Sequence, residues 1–133
     1  MIELALMDPS KETDNKLRWQ AEIEGVQFKL YIPKRRVPRP WPKRIRVRIS
    51  ELHTKAERAV GRAMLEDLKR PIVAIVDKVA EHTQTVRFRP QGDPNNWEIG
   101  EPYIPNNLLP NPNVNALRVE VQWDDSAGHW PDD

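Results

Sequence analysis

The chain has 133 residues, no cysteine, 31% charged residues and a formal net charge of +1 at pH 7. That length is ordinary for one domain and supports a hydrophobic core, and the composition excludes a disordered or fibrous polypeptide. The absence of thiols excludes disulfides and thiolate metal sites.

No apolar run approaches the roughly 20 residues of a membrane-spanning helix, and no basic segment followed by an apolar one opens the chain. The expectation is a soluble cytoplasmic protein with no signal peptide and no membrane partner. Residues 1–123 read as a single domain and 124–133 as an acidic, frayed tail.

The small net charge hides a block distribution. Residues 1–28 carry −3, residues 29–89 carry +11 and residues 90–133 carry −7. Such asymmetry bears on partners and self-association, not on fold.

In chain order, residues 2–7 form a short apolar run that reads as an edge strand. Asp8, Pro9 and Ser10 read as a turn, followed by a polar loop to Lys16. Residues 17–32 alternate apolar and polar on both sides of Glu24-Gly25, a β-hairpin signal. Pairing Ile23 with Val26 sets Ala21 against Phe28, Trp19 against Leu30 and Leu17 against Ile32, all on one face. Glutamate is not ideal at the first turn position, because it prefers negative φ; a bulged turn using Gly25 is the alternative.

Residues 29–48 form the densest feature of the chain. They hold nine cations and no carboxylate, with Pro33, Pro38, Pro40 and Pro42 stiffening the middle around Trp41. Each proline fixes its own φ and biases the preceding residue toward extended backbone. The spacing predicts an exposed, semi-rigid basic arm leading into a third strand. In that strand Ile45, Val47 and Ile49 face inward, while Arg44, Arg46 and Arg48 form an outward ladder.

Residues 54–69 carry a capping box, Thr54 with Glu57, and apolar side chains at helical spacing, which predicts one amphipathic helix ended by Pro71. Residues 72–79 fit either a helical stripe or a strand. The β-branched density of Ile-Val-Ala-Ile-Val favours a buried strand. Residues 83–89 and 117–123 alternate as further strands. Between them, residues 90–115 interleave proline and asparagine with Trp97, Ile99, Tyr103, Ile104, Leu108 and Leu109. The pattern predicts a long ordered loop wrapping the surface.

The fold class expected is therefore α+β: a small curved antiparallel sheet or OB-like barrel, one amphipathic helix and a long C-terminal wrapping loop. The order strand, strand, strand, helix, strand, strand is that of an OB-fold, with the basic arm between its second and third strands.

For function, the arm supplies the leading candidate. Lys34, Arg35, Arg36, Arg39 and Lys43 would neutralise phosphates, Trp41 would stack on an unpaired base, and Arg44, Arg46 and Arg48 would extend the track. The reading is a non-catalytic protein that binds DNA or RNA mainly through phosphates. The rival is a protein-interaction or self-associating module, in which the basic arm pairs with an acidic surface such as that of residues 90–133. An enzyme stands third. His53 with Glu57, and His82, His129, Asp124 and Asp125, make no clustered metal set. Asp67 and Lys69 lack the further acidic partner that magnesium needs. Ser10, Ser50 and Ser126 lie in no elbow motif. No cofactor is implied. Trp97, Tyr103, Trp123 and Trp130 suggest either the rim of a sugar site or, with more weight, anchors for the loop.

Overall fold

Alternation of apolar and polar residues runs through most of this chain, and each alternating stretch becomes a strand with its apolar side inward. The computed structural model describes residues 2–52 and 68–123. They form eight strands: β1 (Ile2–Glu12), β2 (Lys16–Ile23), β3 (Val26–Pro33), β4 (Arg44–Glu51), β5 (Ile72–Glu81), β6 (Thr85–Pro90), β7 (Tyr103–Pro105) and β8 (Ala116–Trp123). One sheet holds them in the order β3-β2-β1-β4-β8-β5-β6-β7, with every neighbour antiparallel. The sheet curls into a nearly closed barrel. Across its open seam the Gly100 amide donates to the Tyr31 carbonyl at 2.8 Å.

The hairpin takes the register that its pattern demands, with Leu17 opposite Ile32, Trp19 opposite Leu30, Ala21 opposite Phe28 and Ile23 opposite Val26. Glu24 and Gly25 form a tight turn with φ of 50° and 82°, the primed geometry that suits strand twist. The inward faces fill the barrel. Trp19 and Trp123 are fully buried with ring centroids 6.4 Å apart. Their indole N–H groups donate to the carbonyls of Pro42 (3.1 Å) and Leu68 (3.0 Å), so neither polar handle is left unpaired.

Several expectations are corrected. The fold is all-β rather than α+β: among the described residues the only helical turns are three 3-10 turns, Lys34–Arg36, Pro94–Asn96 and Asn106–Leu108. The amphipathic helix expected over 54–69 falls mostly outside the described residues, and its last two, Leu68 and Lys69, lie in a turn. The physical reason is curvature: the described strands curl into a nearly closed barrel and fill its interior with their own inward side chains. Eight strands in this order also replace the five-stranded OB arrangement, and the basic arm joins β3 to β4.

Residues 2–7 are not an edge strand, because β1 pairs with β2 on one side and β4 on the other. Nor is there a turn at Asp8-Pro9-Ser10. The β1–β2 register shifts between Met7 and Lys11, and a bulge accommodates a proline that cannot donate to the ladder. Residues 72–79 are a strand, as the β-branched density favoured. A shift in the β5–β6 register between Lys78 and Ala80 puts Val79 off the ladder, which leaves it exposed. The 90–115 segment contains β7, which the loop reading missed. Ile99, Ile104, Leu108 and Val114 tie that segment to the core. The acidic tail, residues 124–133, lies outside the described residues. No helix among the described residues is long and apolar enough to cross a membrane.

Candidate nucleic-acid interface

The basic arm begins as the end of β3, turns at Lys34–Arg36 and returns as β4. It packs on the barrel rather than projecting. Val37 and Pro38 are buried, and Trp41 is half-buried against the core.

Arg36 is the main departure from the expected exposed arm, being only 2% exposed. Its Nε donates to Glu98 Oε2 at 2.5 Å, Nη1 to the Leu68 carbonyl at 2.8 Å, and Nη2 to the carbonyls of Arg70 (2.7 Å) and Pro71 (3.1 Å). The guanidinium also lies 5.9 Å from the Trp123 ring centroid. Arg70 Nη2 reaches the same Glu98 oxygen at 2.9 Å. A rigid, five-donor fork suits such a junction. Arg36 thus joins the arm to the turn before β5 and to the acidic segment after β6, and offers nothing to a phosphate.

The expected arginine ladder on β4 is likewise corrected. Arg48 is 5% exposed and forms a bidentate pair with Glu120, 1% exposed, with both bonds at 2.8 Å. Arg118 adds a contact to Glu120 at 3.5 Å. Arg46 is partly buried; it bonds Gln122 and lies 3.9 Å from Glu3. The reason is register: β4 pairs with β8 so that Arg46 opposes Gln122 and Arg48 opposes Glu120. Only Arg44, at the start of β4, is exposed.

The remaining arm cations sit at the surface. Arg39 and Lys43 are exposed. Arg39 and Lys34 lie over the Trp41 ring, 5.2 Å and 5.5 Å from its centroid. Lys34 also pairs with Glu12 at 2.5 Å. Arg35 is exposed, yet its Nη2 donates to the carbonyls of Asn95 (3.3 Å) and Trp97 (2.6 Å). With cations over its ring and its body on the core, Trp41 serves here as an anchor.

Sheet register reveals a surface that the arm alone did not. Arg44 of β4 opposes Met7 of β1, Met7 opposes Gln20 of β2, and Gln20 opposes Lys29 of β3. These four residues form one cross-strand row on the outer face. In the next row Arg18 opposes Tyr31, and the guanidinium lies 5.9 Å from the phenol ring centroid. Among the described residues, neither row contains a carboxylate. The hairpin pattern already implied the β2–β3 part of both rows. The link through Met7 was hidden by the reading of β1 as an edge.

The other candidates bring no site together among the described residues. His53, Glu57 and Asp67 lie outside the described residues, as do Asp124, Asp125, Ser126, His129 and Trp130. No group of three acidic or histidine side chains that could hold a metal occurs among the described residues. His82 stacks on Tyr103, with ring centroids 5.7 Å apart. Trp123 is a core residue and Tyr103 an exposed one, so the aromatic residues of the supposed sugar rim do not converge.

Comparison with known protein families and with curated proteins finds no match for this chain.

Proposed function

We propose that this protein is a non-catalytic nucleic-acid-binding protein that holds DNA or RNA by its phosphates with little base specificity. The observation that carries this reading is the carboxylate-free row Arg44, Met7, Gln20 and Lys29, flanked by Arg18 and Tyr31. The exposed arm cations Arg39 and Lys43 extend it. A cation-bearing outer sheet face with amide and phenol groups between the charges suits a flexible polyanion. Arg36, Arg46 and Arg48 leave the proposed site, and Arg18 and Lys29 enter it. A cytoplasmic location, in keeping with a chain that lacks cysteine, is part of this proposal.

A second reading is a protein-interaction or self-associating module. It is favoured by Met7, which stands 53% exposed in the middle of the basic row, as an apolar anchor in a contact with an acidic partner would.

Fluorescence anisotropy of labelled single- and double-stranded DNA and RNA oligomers at two salt concentrations separates the two. If Arg18, Lys29, Arg39, Lys43 and Arg44 each neutralise one phosphate, log affinity against log salt falls with a slope of about −3.5 for a single strand. The triple variant Lys29→Ala, Arg39→Ala, Lys43→Ala flattens that slope by about 2 with an unchanged melting temperature. Absence of binding at low salt overturns the nucleic-acid reading and leaves the protein-partner one.

A further inference from the structure

The barrel is not closed by strand pairing. β3 and β7 stand at the two ends of the sheet. Isolated bonds cross between their sides of the seam instead of a ladder, among them Gly100 N–H to the Tyr31 carbonyl at 2.8 Å, Asn107 Nδ2 to Glu24 Oε2 at 2.7 Å and the Arg35 bonds to the Asn95 and Trp97 carbonyls. Beyond the first of these, where β3 ends, the seam opens into a cavity of about 170 Å³. Lys16, Arg35, Asn95 and Trp97 supply its chemistry. Through Lys16 the cavity continues into a wider, open depression of about 510 Å³ lined also by Thr13, Asp14, Asn15 and Tyr31.

Size narrows the occupant. Pockets that bury a free small molecule are typically ~300–1,000 Å³. The narrower part of this groove is smaller, with room for one planar ring, the rest of the ligand running out across the wider part. That shape fits one unit of a polymer.

Chemistry narrows it further. Trp97 offers a π-face and Asn95 a carboxamide that can meet the edge of a base. Lys16 and Arg35 flank them as cations. Arg35 is held in place by its two Nη2 bonds to the carbonyls of Asn95 and Trp97, while its other donors make no hydrogen bond among the described residues. Such a fixed guanidinium suits a phosphate oxygen.

Register supplies the route. Along the outer face of β2 and β3 the successive pairs are Gln20 with Lys29, Arg18 with Tyr31, and Lys16 with Pro33. Each step is about 7 Å, from roughly 3.4 Å per residue. A strand lying on the basic rows is therefore led by Arg18 and Tyr31 to Lys16, which lines the groove.

We infer that the seam groove is a base-stacking subsite for single-stranded nucleic acid, with one base against Trp97 and its flanking phosphates on Lys16 and Arg35. The inference rests on the nucleic-acid reading above and adds a substrate preference to it. A duplex keeps its bases inside the stack, so it can use the basic rows but not the groove.

The test uses the full chain and three labelled probes: a single-stranded oligodeoxynucleotide, the same strand with its bases removed, and its duplex. At fixed low salt the abasic strand binds the unaltered protein at least about fivefold more weakly than the normal strand, since stacking contributes about 1–3 kcal/mol per base. Trp97→Leu, which keeps an apolar filler in the cavity, abolishes that difference, whereas Trp97→Phe preserves most of it. Lys16→Ala lowers the salt slope by about 0.7 and leaves the normal-to-abasic ratio intact. Equal affinity for normal and abasic strands overturns the subsite while leaving phosphate binding standing. So does a normal-to-abasic ratio that Trp97→Leu fails to change. Loss of all salt-dependent binding, to every probe, overturns both readings together.

Discussion

Arg36 and Arg39 belong to the same basic arm and meet opposite fates. Arg36 is buried, with donors spent on Glu98 and on the carbonyls of Leu68, Arg70 and Pro71. Arg39 is exposed and rests on the Trp41 ring. Removing a buried, multiply bonded guanidinium leaves its acceptors desolvated and unpaired. Arg36→Ala is therefore expected to cost about 3–5 kcal/mol and to lower the melting temperature by roughly 10 °C or more. Arg39→Ala should change stability by no more than about 1 kcal/mol. Urea unfolding of both variants checks the contrast, and an Arg36→Ala protein as stable as the parent would refute the structural role. The sequence shows a run of cations at 34–36. It does not show which of them turns inward, because the acceptors of Arg36 lie far along the chain.

The β2–β3 hairpin was legible to the last pair, because period-two alternation on both sides of a two-residue turn allows one register that keeps every large apolar side chain on the same face. Its turn is also where local preference and fold disagree. Glu24 sits at φ 50°, a region that costs an ordinary L-residue roughly 1 kcal/mol. Asparagine adopts it more readily. In an Asn107→Ala background, which removes the bond to Glu24 from both sides of the comparison, Glu24→Asn should raise stability by about 0.5–1 kcal/mol. Gly25→Ala should lower it by about 1 kcal/mol or more; no atom lies within 4 Å of the added methyl, so the cost is backbone strain alone. Urea midpoints that move in the opposite directions would contradict the turn geometry. β1 and β7 were harder to see. In β1 a bulge carries Pro9 past the ladder, and such a proline reads locally as a turn. β7 has only three residues, of which the last is Pro105, too few to show a period.

Taken as a barrel, the molecule has a firm middle and a weak seam. β8 lies between β4 and β5 at the centre of the sheet and is buried on both faces from Leu117 to Trp123. At the seam, single bonds replace a ladder, and the cation pairs of Glu98 and Glu101 brace the segment beside it. Native-state hydrogen exchange should find the amides of β8 and of the β4 and β5 residues paired with it protected to the level of global unfolding. The amides of β7 and of Gly100 should exchange by local opening. Protection at Gly100 equal to that in β8 would mean that the seam is as firm as the ladder. The proposed single-strand groove lies at this weak edge, where irregular backbone leaves side chains free to meet a ligand.

The sequence alone settled several features here. They are the β character of residues 17–32, 44–50 and 117–123 and of most of 83–89, the hairpin register, the inward faces and the blockwise charge, whereas residues 72–79 fitted a helical stripe as well as the strand they form. Each depends on neighbours a few positions apart, and local periodicity reports them. Three-dimensional assembly decided which cations are spent and which are exposed. Arg48 meets Glu120, and Arg36 meets Glu98, only because distant strands come side by side. It also decided that the sheet curls into a nearly closed barrel, since that curling depends on strand order and on edges such as β7 that carry no local signal. The basic surface and the seam groove follow from that same pairing, which joins residues from four strands into rows that no linear stretch contains.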